Sequence, residues 1–219
     1  LKKKMPILDG EPSYEHIPQG LHCAKEPYWT PEQVRRYGWW SVLSGAAGFT
    51  YGHNSIMQFY TGKEEGAFGV RYPWKDALHG PAAASVAIMA ELIQKMFDEV
   101  AEDAMKQGEK TEEYMEYNCR SCREMLCGES VWKEEQKEER VMAWKIGRYC
   151  LFYLYTGRQV ELHLYDDYEA WWFDPSNGVW SWIDRLEITG AGQEISFIPP
   201  IGDFSHRDWM LILKEAVDW

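Results

Sequence analysis

The sequence predicts an α/β segment followed by an all-β domain, and three observations carry that reading. Residues 1 to about 105 alternate short apolar strands with helical stretches. From Val141 onward, β-forming residues recur with a period of two in short runs separated by Gly, Pro, Asp or Asn. Between them lies a stretch dominated by Glu and Lys that follows neither period. The boundaries fall at 1–107 for the α/β part, 108–140 for an acidic linker or helical connection, and 141–219 for a small β-sandwich.

In chain order, Met5-Pro6-Ile7-Leu8 is a short apolar strand. Thr30-Pro31-Glu32 is a helix start, with Thr as N-cap and Pro at the first helical position, and the helix continues through Val34 to Leu43. Gly45-Ala46-Ala47-Gly48 ends it, and Phe49-Thr50-Tyr51 is a short buried strand that leads into Gly52-His53-Asn54. A loop rich in Gly and aromatics, Phe59 to Tyr72, precedes a second long helix from about Pro81 to Val100. Its apolar positions Val86, Met89, Ala90, Ile93 and Phe97 read as one buried stripe. Seven strands then follow, at 141–146, 149–155, 159–164, 169–173, 185–188, 194–198 and 209–213. Thr156-Gly157-Arg158 and Pro175-Ser176-Asn177-Gly178 supply turn chemistry between them. Seven short strands in about 80 residues indicate a β-sandwich. Trp171, Trp172, Trp180 and Trp182 are read as core and inter-domain packing in preference to a sugar-stacking platform.

Composition removes several classes of partner. A net charge of −12, from 35 acidic against 23 basic residues, argues against nucleic acid, because affinity for phosphate backbones comes from clustered Lys and Arg. No apolar run reaches the roughly 18 to 20 residues of a membrane span. The chain opens on Leu1 with a strand already under way and is read as a piece of a longer protein, which leaves localisation open. Five cysteines, an odd number, form no even disulfide framework and favour a reducing compartment. Cys119-Arg-Ser-Cys122 followed by Cys127 lacks the second CxxC or His pair of a zinc site, so no metal and no cofactor are expected.

The residues that carry chemistry sit where strands end. Asp9-Gly10-Glu11-Pro12 follows the first strand, and the following Pro stiffens the loop that presents Glu11. An ordinary Asp-Gly turn with a solvated Glu is the plainer reading of these four residues taken alone. Tyr14 and Glu15 lie just beyond, and His53 and Asn54 leave the second strand at the matching edge, with Gln58 one turn further on.

Three strings add to this: Pro6-Ile7-Leu8-Asp9-Gly10-Glu11-Pro12-Ser13-Tyr14-Glu15, Arg36-Tyr37-Gly38-Trp39, and Ser44-Gly45-Ala46-Ala47-Gly48-Phe49-Thr50-Tyr51-Gly52-His53-Asn54-Ser55-Ile56. Together they resemble the end of the catalytic barrel of apiosidase-like glycoside hydrolases, family 140. Trp171-Trp172-Phe173-Asp174-Pro175, Phe197-Ile198-Pro199-Pro200 and Asp208-Trp209-Met210-Leu211-Ile212-Leu213 resemble the small β-domain, labelled collagen-binding, that follows that barrel. The resemblance implies the last βα units of a (β/α)8 barrel followed by the β-sandwich, with the first strand as barrel strand seven and Phe49-Thr50-Tyr51 as strand eight.

On that mapping Glu11 is a catalytic carboxylate, most simply the nucleophile. The acid/base residue lies on an earlier strand, so the N-terminal barrel half is required in the same or another chain. The substrate implied is an oligosaccharide or polysaccharide, a plant polysaccharide side chain. Tyr14, Glu15, His53, Asn54 and Gln58 are the candidate substrate-binding residues, and Asp9 is a supporting residue that orients Glu11 or caps the strand. Tyr14 as a core aromatic, Glu15 as a loop charge and His53 as a structural histidine are the competing readings. The rival class is a non-catalytic carbohydrate-binding or scaffold module.

Overall fold

The computed structural model describes residues 5–131, 137–200 and 208–216. The chain divides into two compact units, Leu1–Ile88 and Met89–Trp219. The first contains β1 (Leu8–Asp9), α1 (Pro31–Val42), β2 (Gly48–Phe49) and the short α2 (Asn54–Met57). Helix α3 (Pro81–Gln107) carries the chain from the first unit into the second. There α4 (Thr111–Asn118) and β3 (Cys119–Ser121) precede β4 (Val141–Ile146), β5 (Tyr149–Leu154), β6 (Val160–Leu164), β7 (Tyr168–Phe173), β8 (Trp180–Leu186), β9 (Gln193–Phe197) and β10 (Trp209–Glu215). Among the described residues, no helix is long and apolar enough to cross a membrane.

Helix α1 starts where its capping residues require. Gln33 N–H donates to Thr30 Oγ1 at 3.4 Å and Thr30 N–H donates to Gln33 Oε1 at 3.0 Å, a reciprocal capping box with Pro31 at the first helical position. The helix buries Val34, Gly38 and Trp39, and returns the chain so that β2 lies parallel to β1, with Leu8 opposite Gly48 and Asp9 opposite Phe49. Both strands are shifted from the sequence reading, to Leu8–Asp9 in place of 5–8 and Gly48–Phe49 in place of 49–51. Met5 and Ile7 lie outside the ladder and are exposed, while Gly48 joins it in close packing against the Leu8 side chain.

Helix α3 runs seven residues beyond the expected end at Val100, because Ala101 to Gln107 contains good helix formers and nothing stops the helix before Gly108, at φ +70°. Its buried positions in the second unit are Met89, Leu92, Met96, Val100 and Ala104. The expected stripe is therefore rotated: Ala90 is exposed, and Val86, Ile93 and Phe97 are half-buried. The helix has two adjacent apolar rows, and periodicity alone does not choose which of them is central.

The acidic stretch from 108 contains α4 and β3, and β3 pairs antiparallel with β4 as the edge of a six-stranded sheet ordered β3-β4-β5-β10-β7-β8. Lys133 to Gln136 of that stretch lie outside the described residues. A second sheet, β6-β9, faces the first. Val141, Ala143, Phe152, Leu154, Ala170, Trp172, Leu211 and Leu213 of the large sheet share one core with Val160, Leu162, Leu164 and Phe197 of the small one. Strands β5 and β10 are buried on both faces, which is why Cys150-Leu151-Phe152-Tyr153-Leu154 and Met210-Leu211-Ile212-Leu213 read as continuous apolar runs. The second half of α3 lies on the outer face of this sheet, where Tyr149 Oη donates to Glu99 Oε2 at 2.8 Å and Lys214 Nζ approaches the same carboxylate at 3.4 Å. Cys122 and Cys150 are both buried in the core. A thiol hydrogen bond between them, together with burial, pushes the Cys122 thiol well above the ordinary range.

Strand β8 spans Trp180–Leu186, five residues earlier than the expected start at Arg185. It is an edge strand whose Val179, Trp180 and Trp182 are exposed, so no buried alternation marks its beginning in the sequence. The turn before it has the chemistry that Asp174 to Gly178 implies. Asp174 Oδ1 accepts from Ser176 N–H at 2.8 Å, and its backbone carbonyl accepts from Gly178 N–H at 2.9 Å, with Gly178 at φ +77°.

The β4–β5 hairpin closes through Gly147-Arg148, with Ile146 paired to Tyr149. Gly147 is at φ +57°, and a Cβ built there would lie 2.6 Å from Val100 Cγ2. Gly147→Ala should therefore destabilise the β-unit by about 1 to 3 kcal/mol, combining left-handed strain with the overlap on Val100. A urea titration read by tryptophan fluorescence measures this, and a midpoint equal to that of the unsubstituted protein would contradict the account of the hairpin.

Candidate functional site

Because α1 makes β1 and β2 parallel, the loops that follow them leave the same edge of the pair. Backbone bonds from Ala47 N–H to Ile7 O at 2.7 Å and from Thr50 N–H to Asp9 O at 2.9 Å hold the strands together. The Asp9 carboxylate accepts a hydrogen bond from the Ser41 hydroxyl of α1, which fixes the end of β1 to the crossover helix. Asp9 is thus braced at the strand end, and Glu11, two residues further on, is exposed.

The parallel pairing resumes beyond the strands. Glu15 N–H donates to Gly52 O at 2.8 Å and Asn54 N–H donates to Glu15 O at 2.9 Å, forming a parallel bridge between Glu15 and His53. Tyr14 lies half-buried over Gly52, where a Cβ would come within 2.4 Å of its ring, so only glycine admits that ring position. Glu15 is fully buried. Its Oε2 accepts from the Tyr51 hydroxyl at 2.7 Å, its Oε1 accepts no hydrogen bond among the described residues, and His16 Nε2 lies 3.8 Å away. Gly80, which immediately precedes α3, packs against this carboxylate, where a Cβ would lie 2.9 Å from Glu15 Oε2.

His53 caps α2, its Nδ1 accepting from Ser55 N–H at 3.0 Å. A neutral ring with Nδ1 accepting keeps its proton on Nε2, which assigns the 3.1 Å contact with Tyr72 Oη as a donation from His53. The Tyr72 hydroxyl proton is then free to point elsewhere. Burial, reinforced by the neighbouring His16, lowers the His53 pKa to about 4, which keeps the ring neutral near pH 7. Burial, followed by the Glu15 hydrogen bond and charge, raises Tyr51 far above the ordinary phenol value, and burial with the Glu15 charge raises Tyr72. Both hydroxyls are therefore donors.

Among the described residues, Glu15, His16 and His53 are the one His, Cys, Asp or Glu group whose ligand atoms lie within 4.8 Å of each other. The donor set does not suit a metal. The Nδ1 lone pair of His53 is occupied by Ser55 N–H and its Nε2 carries the proton, so only Glu15 and His16 have lone pairs to give.

Asn54 and Gln58 organise the loops. Asn54 Nδ2 donates to His16 O at 2.9 Å and Phe68 O at 2.8 Å, which uses both of its amide protons. Gln58 Nε2 donates to Asn54 Oδ1 at 2.7 Å, and Gln58 Oε1 accepts from Ala67 N–H at 2.8 Å. The fold thus brings Glu15, His53, Asn54 and Gln58 into one hydrogen-bonded cluster beneath the strand edge, with Tyr14 against Gly52 and Glu11 separate and solvent-facing. His16, Tyr51 and Tyr72 complete the cluster and were not found from the sequence. His16 and Tyr51 adjoin residues already singled out, whereas Tyr72 sits at the end of a long loop with no spacing that ties it to His53.

Residues 1–98 match the family described as "Apiosidase-like, catalytic domain". Residues 126–214 match "Putative collagen-binding domain of a collagenase", so both halves of the resemblance read from the motifs are found. A solved "Glycoside hydrolase" is 29% identical with a TM-score of 0.78, covering 100% of this chain and 44% of that one. A glycoside hydrolase family 5 protein from Bacteroides vulgatus ATCC 8482 is 27% identical with a TM-score of 0.77, covering 98% of this chain and 42% of that one. The chain therefore spans less than half the length of these glycoside hydrolase structures. No curated protein matches it.

The His53 environment generates a pH prediction. The unfolded ring titrates near its ordinary 6.5 and the folded ring near 4. As pH falls through that interval the unfolded chain takes up a proton that the folded chain refuses, and stability present above pH 6.5 is lost. His53→Asn keeps an N-cap acceptor and removes this titration. Urea midpoints measured from pH 7 to 4.5 should fall more steeply for the wild type than for His53→Asn, and parallel slopes would contradict a neutral, buried His53.

Proposed function

We propose that this chain supplies the seventh and eighth βα units of a (β/α)8 glycoside hydrolase barrel, with Glu11 as one of its two catalytic carboxylates. Residues 1–107 form that barrel portion, 108–140 the connection and 141–219 the β-domain. The observation that carries the reading is the parallel β1-β2 pair crossed by α1, from whose C-terminal edge both Glu11 and the Glu15–His53 cluster emerge. Barrels of this kind build their chemistry at that edge.

Further support comes from the open sides of the pair. Among the described residues β1 and β2 pair only with each other, and Met5, Ile7 and Leu8 are exposed beside a cavity of about 520 Å³ lined by Ile7, Leu8, Trp40 and Ser41. Apolar side chains along an unpaired strand suit a neighbouring barrel strand at that place. The match of residues 1–98 to an apiosidase-like catalytic domain and the 44% coverage of a solved glycoside hydrolase agree with this.

In the proposed reaction the Glu11 carboxylate attacks the anomeric carbon, and an acid on a strand outside this chain protonates the leaving oxygen. Tyr14 supplies an aromatic face to the sugar, and Tyr72, oriented by His53, supplies a hydroxyl donor. Asn54 and Gln58 hold the loops that present them, and Asp9 holds the end of the strand that carries Glu11. The substrate is the glycosidic bond of a plant polysaccharide side chain, in the manner of an apiosidase.

Glu11→Gln in the protein joined to its missing strands is the direct test. Glu11 is exposed, so the melting curve should not move, while turnover of an apiosyl oligosaccharide should fall by about three orders of magnitude or more. The 219-residue chain alone should show no turnover. Retention of more than about a tenth of the activity by Glu11→Gln would overturn the catalytic assignment.

A further inference from the structure

We infer that the β-unit has its own oligosaccharide-binding face, built on Trp171, Trp180 and Trp182 at the β7–β8 edge. Strand β7 directs Tyr168, Ala170 and Trp172 into the core, which leaves Glu169, Trp171 and Phe173 on the opposite face. Register pairs these with β8: Phe173 with Trp180, Trp171 with Trp182, and Glu169 with Arg185. Trp182 and Arg185 are three residues apart, and in a regular strand they would point to opposite faces. A bulge between Ala170 and Trp171 places the extra residue Ile183 in β8 and brings both onto the Trp171 face.

The aromatic rings are set at steep angles to one another. Trp171 and Trp182 have centroids 5.1 Å apart at 73°, Trp171 and Trp180 are 6.2 Å apart at 83°, and Phe173 and Trp180 are 5.3 Å apart at 66°. Edge-to-face packing fixes the rings and leaves indole faces uncovered, with Trp182 55% and Trp180 39% exposed, while Trp172 on the core side is 5% exposed.

The next pair along the strands opens into a cavity of about 670 Å³ with polar walls, lined by Glu169, Arg185, Lys214, Arg148, Asp103 and Tyr114 among others. Arg148 pairs with Asp103 at 3.5 Å and Lys214 with Glu99 at 3.4 Å, whereas Arg185 makes no ion pair among the described residues. An aromatic platform continuous with a pocket of donors and acceptors matches a pyranose chain, whose C–H faces stack on rings and whose hydroxyls need hydrogen bonds at the edge. A protein partner would be met by a broader apolar surface. Here the exposed rings give way to Glu169 and Arg185 at the next pair on the same face.

This face lies at a distance in sequence from Glu11, and it stands independently of the catalytic role proposed for that residue. Calorimetric titration of the whole chain with xylohexaose, cellohexaose and hexagalacturonate should give saturable binding to at least one. Trp180→Ala/Trp182→Ala should weaken it by about tenfold or more, and Arg185→Ala should weaken it less. Leu78→Ala, at an exposed position of the first unit, should leave it unchanged. Trp182→Gln serves as a second variant, with unaltered circular dichroism required of both. Absence of binding to all three sugars, binding that survives in the tryptophan variants, or saturable binding only to a collagen-like peptide would overturn the assignment. Survival in the tryptophan variants with loss in Tyr14→Ala would locate all sugar affinity at the strand edge, leaving the proposed glycosidase reading intact.

Discussion

The parallel alignment of β1 with β2 is the constraint on which the first unit depends. The crossover through α1 lets the two strands pair in parallel, so the chain leaves both at one edge. That geometry is why residues separated by nearly forty positions, Glu15 and His53, form a backbone bridge. It also explains why Asp9 is tied to Ser41: the crossover helix is the nearest rigid element to the end of β1. The contacts that join Glu15 and His16 to Tyr51, His53 and Asn54 follow from this alignment.

Within that cluster the polar groups act on one another in order. Ser55 N–H fixes the His53 tautomer, His53 orients the Tyr72 hydroxyl, and Tyr51 satisfies one oxygen of Glu15. A buried carboxylate without such a donor would be costly, and both phenols stay protonated because burial and the Glu15 charge oppose their ionisation. The result is a hydrogen-bonded cluster beneath the strand edge, separate from the solvent-facing Glu11. Asn54 extends this by joining the His16 and Phe68 carbonyls, and His16 and Phe68 both adopt left-handed backbone conformations, at φ +57° and +51°. The amide is therefore the bond that holds two strained loop residues in register.

In the second unit one sheet serves two surfaces. Strands β5 and β10 are buried on both sides, so the sheet joins the small β6-β9 layer on one face and the second half of α3 on the other. Toward the β7–β8 edge the outer face opens to solvent, and there the tryptophans and charged groups are exposed. The bulge in β8 gives that edge its mixture of rings and a guanidinium.

The sequence by itself determined the elements whose causes are local. Thr30, Pro31 and Gln33 define the start of α1, the apolar runs of β5 and β10 follow from burial on two faces, and Asp174 to Gly178 encode their own turn. The Asp9-Gly10-Glu11-Pro12 string was likewise legible, because its position after a strand is a property of neighbouring residues. What only the tertiary structure decided was each choice among locally equivalent options. Helix α3 has two apolar rows, and packing selected the one with Leu92 and Met96. The tryptophans of β7 and β8 are alike in sequence, and strand register with one bulge sent Trp172 inward and Trp182 outward. The pairing of His53 with Tyr72 and of Glu15 with Tyr51 came from loop closure across a parallel strand pair. No short-range preference encodes such contacts, because they form only when the strands are already aligned.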